Sequence, residues 1–493
     1  MHKRALNITV SLLDQARFNP TAEALVHPGG AINYRDLDAL AWNSAQFLYD
    51  SGIRKDMVVT LRCTGELSLA LAILGLTRLG APFICVPRSA PVLQQADWAA
   101  SCGSSVLLVD RRDADAAILS RTVVFDLARV AAGGKVDPGI LDPYPKGPWM
   151  FAAGSGSTGK RKVIPVHHDH IRARCHSARL DPMFKPGTRL LCMSHLSFST
   201  IIGRLFYAIE TGACFVMMNR QARDFGAYLT GKRVTVLRAS VFDAEQVLAR
   251  LGPDAENAFG FLDMVVIGGS TVSGDLRRRV RRGMNETLQV SYGTNECHYI
   301  SRALSPEVYE ADSGVGRPVP GVELQIVDEH GRAVPAGAVG RVRVRSAGAV
   351  DGYLNDEEAT AKAFVDGWFY PGDMAKLTDK GALIHYGRSD GVMIFDGINI
   401  YPVEIEECMV RHPAVRDAAS FAVRDPVHQD IPVCAVALFD GAHATGTDLR
   451  DYAREWLGHF GPRQVVILPR IPRNEQGKII RAELFEMTRA AMR

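Results

Sequence analysis

Residues 154–162 combine glycines, hydroxyls and cations in a run that could hold a phosphate group. The run reads Gly154-Ser155-Gly156-Ser157-Thr158-Gly159-Lys160-Arg161-Lys162 and follows the apolar stretch 149–153. Glycines let the backbone approach a ligand closely, and amides and hydroxyls donate hydrogen bonds to phosphate oxygens. The cations at the end of the run add positive charge. The pattern therefore favours a nucleotide phosphate as the ligand.

Two other interpretations compete for the same run. The spacing from Gly154 to Lys160 fits G-x-x-x-x-G-K, but that loop needs Ser or Thr at the next position to hold magnesium. Arg161 stands there, so the sequence argues against a nucleoside triphosphatase of that type. A flexible Ser/Gly turn without a ligand is the other alternative for the run taken alone.

The run also resembles the loop S-G-[ST]-T-G-x-P-K of the ANL superfamily, which comprises acyl-CoA synthetases, nonribosomal-peptide adenylation domains and firefly-type luciferases. Only the proline differs, since Arg161 replaces it. Five further stretches resemble elements of that superfamily, and the resemblance spans nearly the whole chain. These stretches are 291–296 (SYGTNE), 352–355 (GYLN), 370–373 (YPGD), 387–406 (the hinge motif, beginning GRSD) and 472–478 (PRNEQGK).

The resemblance implies a reaction, a set of cofactors and a set of nucleotide-binding residues. The reaction is the activation of a carboxylic acid by ATP and Mg²⁺ to an acyl-AMP, with release of pyrophosphate. The chain would thus be an AMP-forming ligase. The implied nucleotide-binding residues are Ser155, Gly156, Ser157, Thr158, Gly159, Lys162, Tyr292, Gly293, Asn295, Asp373 and Arg388.

The same resemblance assigns a role to several of these residues. Thr158 would hold the β- and γ-phosphates, and Glu296 would hold magnesium, an ion that prefers oxygen ligands. Tyr292 would face adenine. Asp373 would accept hydrogen bonds from the ribose hydroxyls, and Arg388 would donate to ribose or phosphate.

Two more residues take their implied roles from the C-terminal part of the resemblance. Lys478 would stabilise the attack of the carboxylate on the α-phosphate. Thr158, Glu296 and Lys478 are therefore the implied catalytic residues. Asp390 matches the hinge about which the C-terminal domain of the superfamily swings between two poses.

The pocket for the acid is expected at a set of small and aromatic residues. His195 and His298 either border this pocket or only pack in the protein interior. Relatives that activate amino acids carry an Asp close to the position of Ser199, which has no charge. We therefore expect an aromatic, alicyclic or medium aliphatic acid and not an α-amino acid. Asn295 stands where the superfamily has a Thr. The effect of this replacement on the positioning of magnesium or of the acyl group is left open. The expected pocket residues are Phe198, Ser199, Gly268, Gly269, Ser291 and Gly293.

The acceptor of the acyl group has three candidates. Residues 397–402 resemble the corresponding stretch of many CoA ligases, so CoA is the first expectation. A separate carrier protein with a phosphopantetheine thiol is the second, and an amine is the third. A luciferase-type monooxygenase would share the first half-reaction, but nothing in the sequence favours it. A non-catalytic adenylate-binding protein is a remote alternative, because Lys478, Glu296 and Asp373 are all present.

Apolar periodicity predicts the elements that must position these residues. Residues 35–52 and 67–79 have helical periodicity, and short apolar runs alternate with such segments through the first half of the chain. This alternation predicts an α/β architecture with a largely parallel sheet. The predicted strands are 57–61, 82–86, 105–109, 149–152, 190–193, 214–218, 234–237 and 264–267.

The pattern changes from about residue 321. Residues 322–327 and 339–345 alternate apolar with polar side chains, which predicts half-exposed strands in a β-rich subdomain at about 321–388. We therefore expect a large N-terminal adenylation domain of α/β sheets over residues 1–388, which includes this subdomain.

A small mobile α+β domain over residues 389–493 is expected to follow and to carry Lys478. Its predicted strands are 392–395 and 431–438, and its predicted helices are 403–411 and 447–458.

Composition limits the partners. A net charge of only +3 on 493 residues argues against nucleic acid or an anionic membrane. The arginine run at 277–282 is interpreted as a solvated helix face.

The apolar stretch 67–86 is interrupted by Pro82, which argues against a membrane span. Nine cysteines without paired spacing argue against zinc or disulfides and favour a reducing cytoplasm. The superfamily suggests a monomer or homodimer.

Overall fold

Helices and strands alternate over most of the first part of the chain, as the apolar periodicity predicts. The computed structural model describes residues 6–87, 90–111, 118–154, 162–304, 314–474 and 477–491. The first ten helices are α1 (Val10–Phe18), α2 (Tyr34–Asp50), α3 (Glu66–Leu79), α4 (Val92–Ser101), α5 (Leu127–Ala132), α6 (His168–Ala178), α7 (Ser199–Thr211), α8 (Phe225–Gly231), α9 (Val241–Leu251) and α10 (Gly274–Gly283).

The strands that accompany these helices agree with the predicted apolar runs. The first thirteen strands are β1 (Glu23–His27), β2 (Gly30–Asn33), β3 (Val59–Leu61), β4 (Phe83–Cys85), β5 (Val106–Val109), β6 (Thr122–Val124), β7 (Pro148–Gly154), β8 (Lys162–His167), β9 (Arg189–Cys192), β10 (Cys214–Val216), β11 (Val236–Ala239), β12 (Met264–Gly268) and β13 (Leu288–Thr294). The prediction of an α/β fold is confirmed.

Strands β3 to β8 form a six-stranded sheet in the order β6-β5-β3-β4-β7-β8. Neighbours are parallel, except that β7 and β8 form an antiparallel hairpin in which Gly154 pairs with Lys162. This hairpin holds the two ends of the glycine-rich run next to each other. The run itself, residues 155–161, lies outside the described residues.

A β-rich region follows, as the alternating patterns predict. Its strands pair antiparallel, and within the described residues of this region one α-helix, α11 (Glu357–Ala363), interrupts them. The strands are β14 (His298–Leu304), β15 (Gly314–Pro318), β16 (Val322–Val327), β17 (Gly340–Ser346), β18 (Phe364–Val365), β19 (Trp368–Phe369), β20 (Asp373–Leu377) and β21 (Leu383–Arg388).

These antiparallel strands continue a large sheet of 15 strands, ordered β18-β19-β17-β20-β21-β15-β14-β13-β12-β11-β9-β10-β1-β2, with β16 beside β17. Its central strands β9 to β13 and β1 are parallel. The carboxyl ends of β9, β11, β12 and β13 therefore lie side by side. Ligand sites in such sheets form outside these ends. Of the residues expected in the acid pocket, Phe198 and Ser199 follow β9 and Gly269 follows β12.

Helices α3 and α7 lie in the interior. Every residue of α3 from Ser68 to Leu79 is buried. Trp149 of the six-stranded sheet contacts Phe206 of α7 edge to face at 4.8 Å, and α7 packs on β10 of the large sheet, so α7 lies between the sheets. In the described part of the chain, no helix is both long and apolar enough to cross a membrane.

Helix α10 carries the arginine run 277–282, and the prediction of a solvated face is wrong for Arg277. Arg277 is buried, because it lies on the same face as the buried Val280 one turn later. Its Nε donates to the Val272 carbonyl at 2.9 Å. The side chain of Arg278 is 59% exposed, and Arg279 is bonded to Glu245 through both Nη atoms at 2.8 and 2.5 Å.

The last part of the chain forms a smaller α+β unit with its own core. Its sheet has the order β23-β22-β25-β24, with β26 beside β25. The helices predicted at 403–411 and 447–458 are confirmed. The strands are β22 (Met393–Phe395), β23 (Ile398–Ile400), β24 (Val415–Asp425), β25 (Gln429–Leu438) and β26 (Gln464–Ile467), and the helices are α12 (Pro402–Val410), α13 (Gly446–Leu457) and α14 (Arg481–Ala491).

Candidate active site

Tyr292 and Asp373, predicted from separate motifs, meet in the structure. Tyr292 lies near the end of β13 and Asp373 begins β20, and the Tyr292 hydroxyl donates to Asp373 Oδ2 at 2.5 Å. His385 of β21 adds a second contact, with its Nε2 3.7 Å from Oδ2 and its ring 5.1 Å from the Tyr292 ring. Arg388 Nη1 lies 3.6 Å from Asp373 Oδ1.

The carboxyl group of Asp373 is buried but ionised. Burial alone would raise its pKa, but hydrogen bonding and charge from His385, the Tyr292 hydroxyl and the Arg388 guanidinium together lower the pKa below its ordinary value. Asp373 is therefore an acceptor-only group at neutral pH. Such a carboxylate can accept hydrogen bonds from a pair of hydroxyl groups.

Arg388 connects this carboxylate to the predicted hinge. Its guanidinium donates to the Pro371 carbonyl, and its Nε lies 3.4 Å from Asp390 Oδ1. Asp390 lies in a short 3-10 turn, Ser389–Gly391, directly after β21. The hinge position and the Asp373 group are thus in contact through one side chain.

Glu296 lies in the turn between β13 and β14. The hydroxyl of Tyr353 donates to Glu296 Oε1 at 3.0 Å, and the ammonium of Lys162 lies 4.4 Å from the centre of the Tyr353 ring. Burial, together with the charge of Glu296, raises the pKa of Tyr353, so the tyrosine stays a hydrogen-bond donor. Tyr353 therefore fixes one oxygen of Glu296, the Oε1 atom.

Asn295, which stands at the Thr position of the superfamily stretch that residues 291–296 resemble, joins two parts of the site. Its Oδ1 accepts from Ser199 Oγ at 3.0 Å, and its Nδ2 lies 3.4 Å from the Ala153 carbonyl. Ser199 begins α7 and Ala153 lies at the end of β7, just before the glycine-rich run. The amide of Asn295 thus links the expected acid pocket to the expected phosphate loop.

Lys478 reaches this site from the C-terminal unit. Asn474 and Lys478 close a turn through a 2.9 Å backbone hydrogen bond, and the Lys478 amide donates to Asn474 Oδ1 at 3.0 Å. Gly477 in this turn has φ +79°, and a Cβ there would lie 3.3 Å from Ser270 Oγ. The turn therefore rests on the loop that follows β12.

The charge environment of Lys478 joins it to the groups described above. Lys478 is exposed, yet nearby protein atoms desolvate its ammonium group. This desolvation, together with the positive charge of Arg388, lowers the pKa of Lys478. The charges of Glu296 and Asp373 act in the opposite direction. The cation of one unit and the two carboxylates of the other thus form one electrostatic group.

The residues expected in the acid pocket surround the ends of the parallel strands. Phe198 is the N-cap of α7 and Ser199 begins the helix, while Gly268 ends β12 and Gly269 follows it. Ser291 is buried, with its hydroxyl 3.5 Å from the Ile267 carbonyl, so it packs between strands.

The two bordering histidines differ. His195 Nδ1 lies 2.9 Å from Ser197 Oγ. His298 is buried against the Tyr207 ring at 4.9 Å, and burial with nearby arginines holds its pKa well below the ordinary value. His298 is therefore neutral, and it packs against the middle of α7, beside Gly203 and Tyr207.

Several residues of this site escaped the sequence interpretation. Tyr353 lay inside the noted stretch 352–355 but had no role assigned, and nothing marked His385 or Arg174. Arg174 of α6 donates to the Glu296 carbonyl at 2.9 Å and to the Gly348 carbonyl at 2.8 Å. Sequence could not reveal these partners because each comes from a distant part of the chain.

Comparison with known proteins identifies the family. The family model described as AMP-binding enzyme matches residues 12–354, and the model described as AMP-binding enzyme C-terminal domain matches residues 404–478. The chain belongs to the AMP-binding enzyme family. This membership confirms the resemblance to the ANL superfamily and the expectation of a large N-terminal and a smaller C-terminal domain.

Curated relatives of this AMP-binding enzyme differ in length and in acceptor. It is 27% identical to a probable non-canonical nonribosomal peptide synthetase, CymA, of Salinispora arenicola over 95% of the chain, but it spans only 6% of that protein. It is 28% identical to a salicyl-AMP ligase / salicyl-S-ArCP synthetase of Mycobacterium tuberculosis, over 95% of this chain and 88% of that one. A feruloyl-CoA synthase of Amycolatopsis is 26% identical, over 95% and 96%.

Solved structures share the fold of the AMP-binding enzyme. The amide bond synthetase McbA from Marinactinospora thermotolerans superposes with a TM-score of 0.86 at 25% identity, covering 97% of this chain and 98% of that one. O-succinylbenzoate coenzyme A synthetase (MenE) from Bacillus subtilis, in complex with ATP and magnesium ion, has a TM-score of 0.86 at 22% identity and covers 96% and 99%.

Proposed function

We propose that this chain activates a carboxylic acid with ATP to form an acyl-AMP and then transfers the acyl group to CoA. The meeting of Lys478 with Glu296 and Asp373 carries the proposal for the first half-reaction. In the sequence, Lys478 lies more than a hundred positions after both Glu296 and Asp373. Their assembly at one site is what an in-line attack on a bound nucleotide requires.

In this reaction a carboxylate oxygen attacks the α-phosphorus of ATP. The bond between the α-phosphorus and the bridging oxygen breaks, and pyrophosphate leaves. Lys478 stabilises the negative charge that develops on the α-phosphate. Asp373 accepts hydrogen bonds from the ribose hydroxyls, Tyr292 lies against the base, and Arg388 donates to ribose or phosphate.

Magnesium fits the residues around Glu296. A single carboxylate with one oxygen held by Tyr353 suits an ion that is bound through one or two carboxylates together with substrate phosphates. When bound, the ion would supply positive charge to the departing pyrophosphate. Thr158 and the other hydroxyls of the glycine-rich run would hold the β- and γ-phosphates, as the sequence predicts.

The nature of the acid follows from the start of α7. Ser199 places a neutral hydroxyl, already bonded to Asn295, where a carboxylate would be needed to pair with an α-ammonium group. An ammonium buried there would lack a counter-charge. We therefore infer that the substrate is an aromatic, alicyclic or aliphatic acid and not an α-amino acid.

CoA is the proposed acceptor on two grounds. The stretch 397–402, which runs from the turn before β23 to the start of α12, resembles CoA ligases, and a feruloyl-CoA synthase is similar over almost its whole length. An amine is the second candidate, because the amide bond synthetase McbA reaches 25% identity. A carrier-protein thiol is the third, since the salicyl-AMP ligase / salicyl-S-ArCP synthetase reaches 28%.

A product screen tests the proposal. Pyrophosphate release would be measured for a panel of acids with ATP and Mg²⁺, and mass spectrometry would identify products after addition of CoA, amines or phosphopantetheinylated carrier protein. We expect acid-dependent pyrophosphate release and an acyl-CoA product. The first half of the proposal would be refuted if pyrophosphate were released without formation of an acyl-AMP, or if no acid triggered its release. An amide or a carrier-bound product would refute only the proposal that CoA is the acceptor.

Replacing Asp373 tests nucleotide binding. We expect Asp373→Asn to raise the KM for ATP by on the order of 10-fold to 10²-fold, because a charge-assisted acceptor for the ribose hydroxyls becomes a neutral amide. The KM for the acid should change little. The exposed Asp366→Asn is the control, and the KM values come from pyrophosphate release at varied ATP. Equal KM values for both variants would contradict the assignment.

A further inference from the structure

Two buried arginines lie between α7 and β11 without an ion-pair partner among the described residues. Arg204 and Arg238 are only 3% and 8% exposed. Arg204 donates to the Thr200 carbonyl at 2.7 Å and to the Tyr299 hydroxyl at 2.9 Å. Arg238 donates through Nη1 to the Ala239 carbonyl. The Nε atom of each guanidinium has no hydrogen-bond partner within the described chain.

A buried charge without a directly paired counter-ion is unfavourable. Burial opposes the charge of Arg204, but Tyr299 and Cys192 outweigh burial and raise the pKa of Arg204 above its ordinary value. Arg238 is the less stabilised of the two, although the charge of Asp243 partly offsets its burial.

The chain treats another buried arginine differently, since Arg78 is fully buried and forms an ion pair with Asp38. Burial and the neighbouring charge of Arg204 lower the pKa of Arg238 to about 10, so Arg238 is still a cation at neutral pH. Binding of an anion would relieve this unfavourable charge.

Arg238 lies beside Gly269, one of the residues expected in the acid pocket. A Cβ built at Gly269, just after β12, would lie 4.0 Å from Arg238 Nη2, and apart from the chain next to Gly269 no other described atom lies within 4 Å of that position. The glycine thus leaves room in front of the guanidinium. A ligand group can occupy this space and contact the cation.

The Arg238 position is distinct from the reaction centre. Arg238 lies on β11, whereas Asp373 and Arg388 lie on β20 and β21. In the large sheet, β12, β13, β14 and β15 lie between β11 and β21. A ligand that contacts both places must therefore carry a group at each end.

We propose that Arg238 binds a second carboxylate of the substrate, so that the acid activated is a dicarboxylic acid. One carboxyl group meets the nucleotide near Lys478 and becomes the acyl-AMP. The other lies in front of Gly269 and pairs with Arg238, while Arg204 adds positive charge behind it. This inference rests on the proposed acid activation.

The experiment compares each dicarboxylic acid with its own monoamide, which has the same size but one charge fewer. Short and medium linear diacids and carboxy-substituted benzoic acids form the panel, and kcat/KM comes from pyrophosphate release. In the unchanged protein we expect the fitting diacid to exceed its monoamide by on the order of 10²-fold. In Arg238→Met this preference should disappear while kcat/KM for the monoamide stays within about threefold.

Controls separate the outcomes. Arg279→Met, a similar change on α10, should keep the preference, and Arg238→Lys should keep part of it. Melting temperatures show whether each variant folds. The comparison of diacid with monoamide in the unchanged protein tests the inference even if a variant fails to fold. Equal rates for diacid and monoamide in the unchanged protein would overturn the inference. An equal loss of kcat/KM for the diacid and the monoamide in Arg238→Met would also overturn the inference, because it would place the reacting carboxylate at Arg238. Absence of pyrophosphate release with every acid would instead refute the proposed function.

Discussion

Replacement of Lys478 by Ala should lower acid-dependent pyrophosphate release by on the order of 10²- to 10³-fold while ATP binding stays within about threefold. The side chain comes from the C-terminal unit and reaches the electrostatic group of Glu296 and Asp373. A cation placed there stabilises charge that develops only in the transition state, and loss of one such group has effects of this size. Pyrophosphate release gives the rate, and calorimetry without acid gives the ATP affinity.

The control for this variant is Arg470→Gln, which removes an exposed cation of the same unit that pairs with Glu483. Its rate should match that of the unchanged protein. Undiminished pyrophosphate release in Lys478→Ala would remove Lys478 from the reaction centre. An equal loss of ATP affinity and of rate would make it a nucleotide-binding residue.

The pH profile provides a second readout for the same lysine. Desolvation lowers the pKa of Lys478 below its ordinary value of 10.5. Because the protonated ammonium is the active form, the rate should fall on the alkaline side before an ordinary lysine would lose its proton. In Lys478→Arg the guanidinium keeps its charge to higher pH, so any remaining activity should lose this alkaline limb. An alkaline limb that is the same in both proteins would assign it to another group.

Replacement of Glu296 by Gln should raise the magnesium concentration needed for half-maximal activity by on the order of 10²-fold. The carboxylate is the proposed magnesium ligand, and Tyr353 holds one of its oxygens at 3.0 Å. A neutral amide keeps the shape but removes the charge that a hard cation prefers. Pyrophosphate release titrated with Mg²⁺ at fixed ATP gives the midpoint.

A graded pair of variants sharpens this experiment. Tyr353→Phe removes only the hydrogen bond that orients Glu296, so its midpoint should lie between those of the unchanged protein and of Glu296→Gln. Glu329→Gln, a change at a side chain that is 83% exposed, should leave the midpoint unchanged. If Tyr353→Phe shifted the midpoint further than Glu296→Gln, the metal would not be bound through Glu296.

The sequence predicted the helices and strands that carry the site. Residues 67–79 and 447–458 had helical periodicity, and α3 and α13 occupy almost the same bounds. The sequence failed at Arg277, because a run of charges does not reveal which of its members points inward. Helix periodicity, read from the buried Val280, would have separated Arg277 from Arg278.

By itself the sequence determined the order of the elements through apolar periodicity. Its resemblance to the ANL motifs indicated the family and singled out Tyr292, Glu296, Asp373 and Lys478. Both are local properties of the chain. Only the tertiary structure decided the partners: Tyr353 on Glu296, His385 on Asp373 and the turn at Gly477 against the loop after β12. Contacts of this kind depend on how sheets and units pack.

The buried arginines show the same division most clearly. In the sequence, Arg238 is a single charge at the end of an apolar strand and has no visible role. In the structure it is buried without a carboxylate partner in the described chain and faces the space left by Gly269. The physical reason is that burial and charge compensation are properties of three-dimensional surroundings, which no spacing along the chain records.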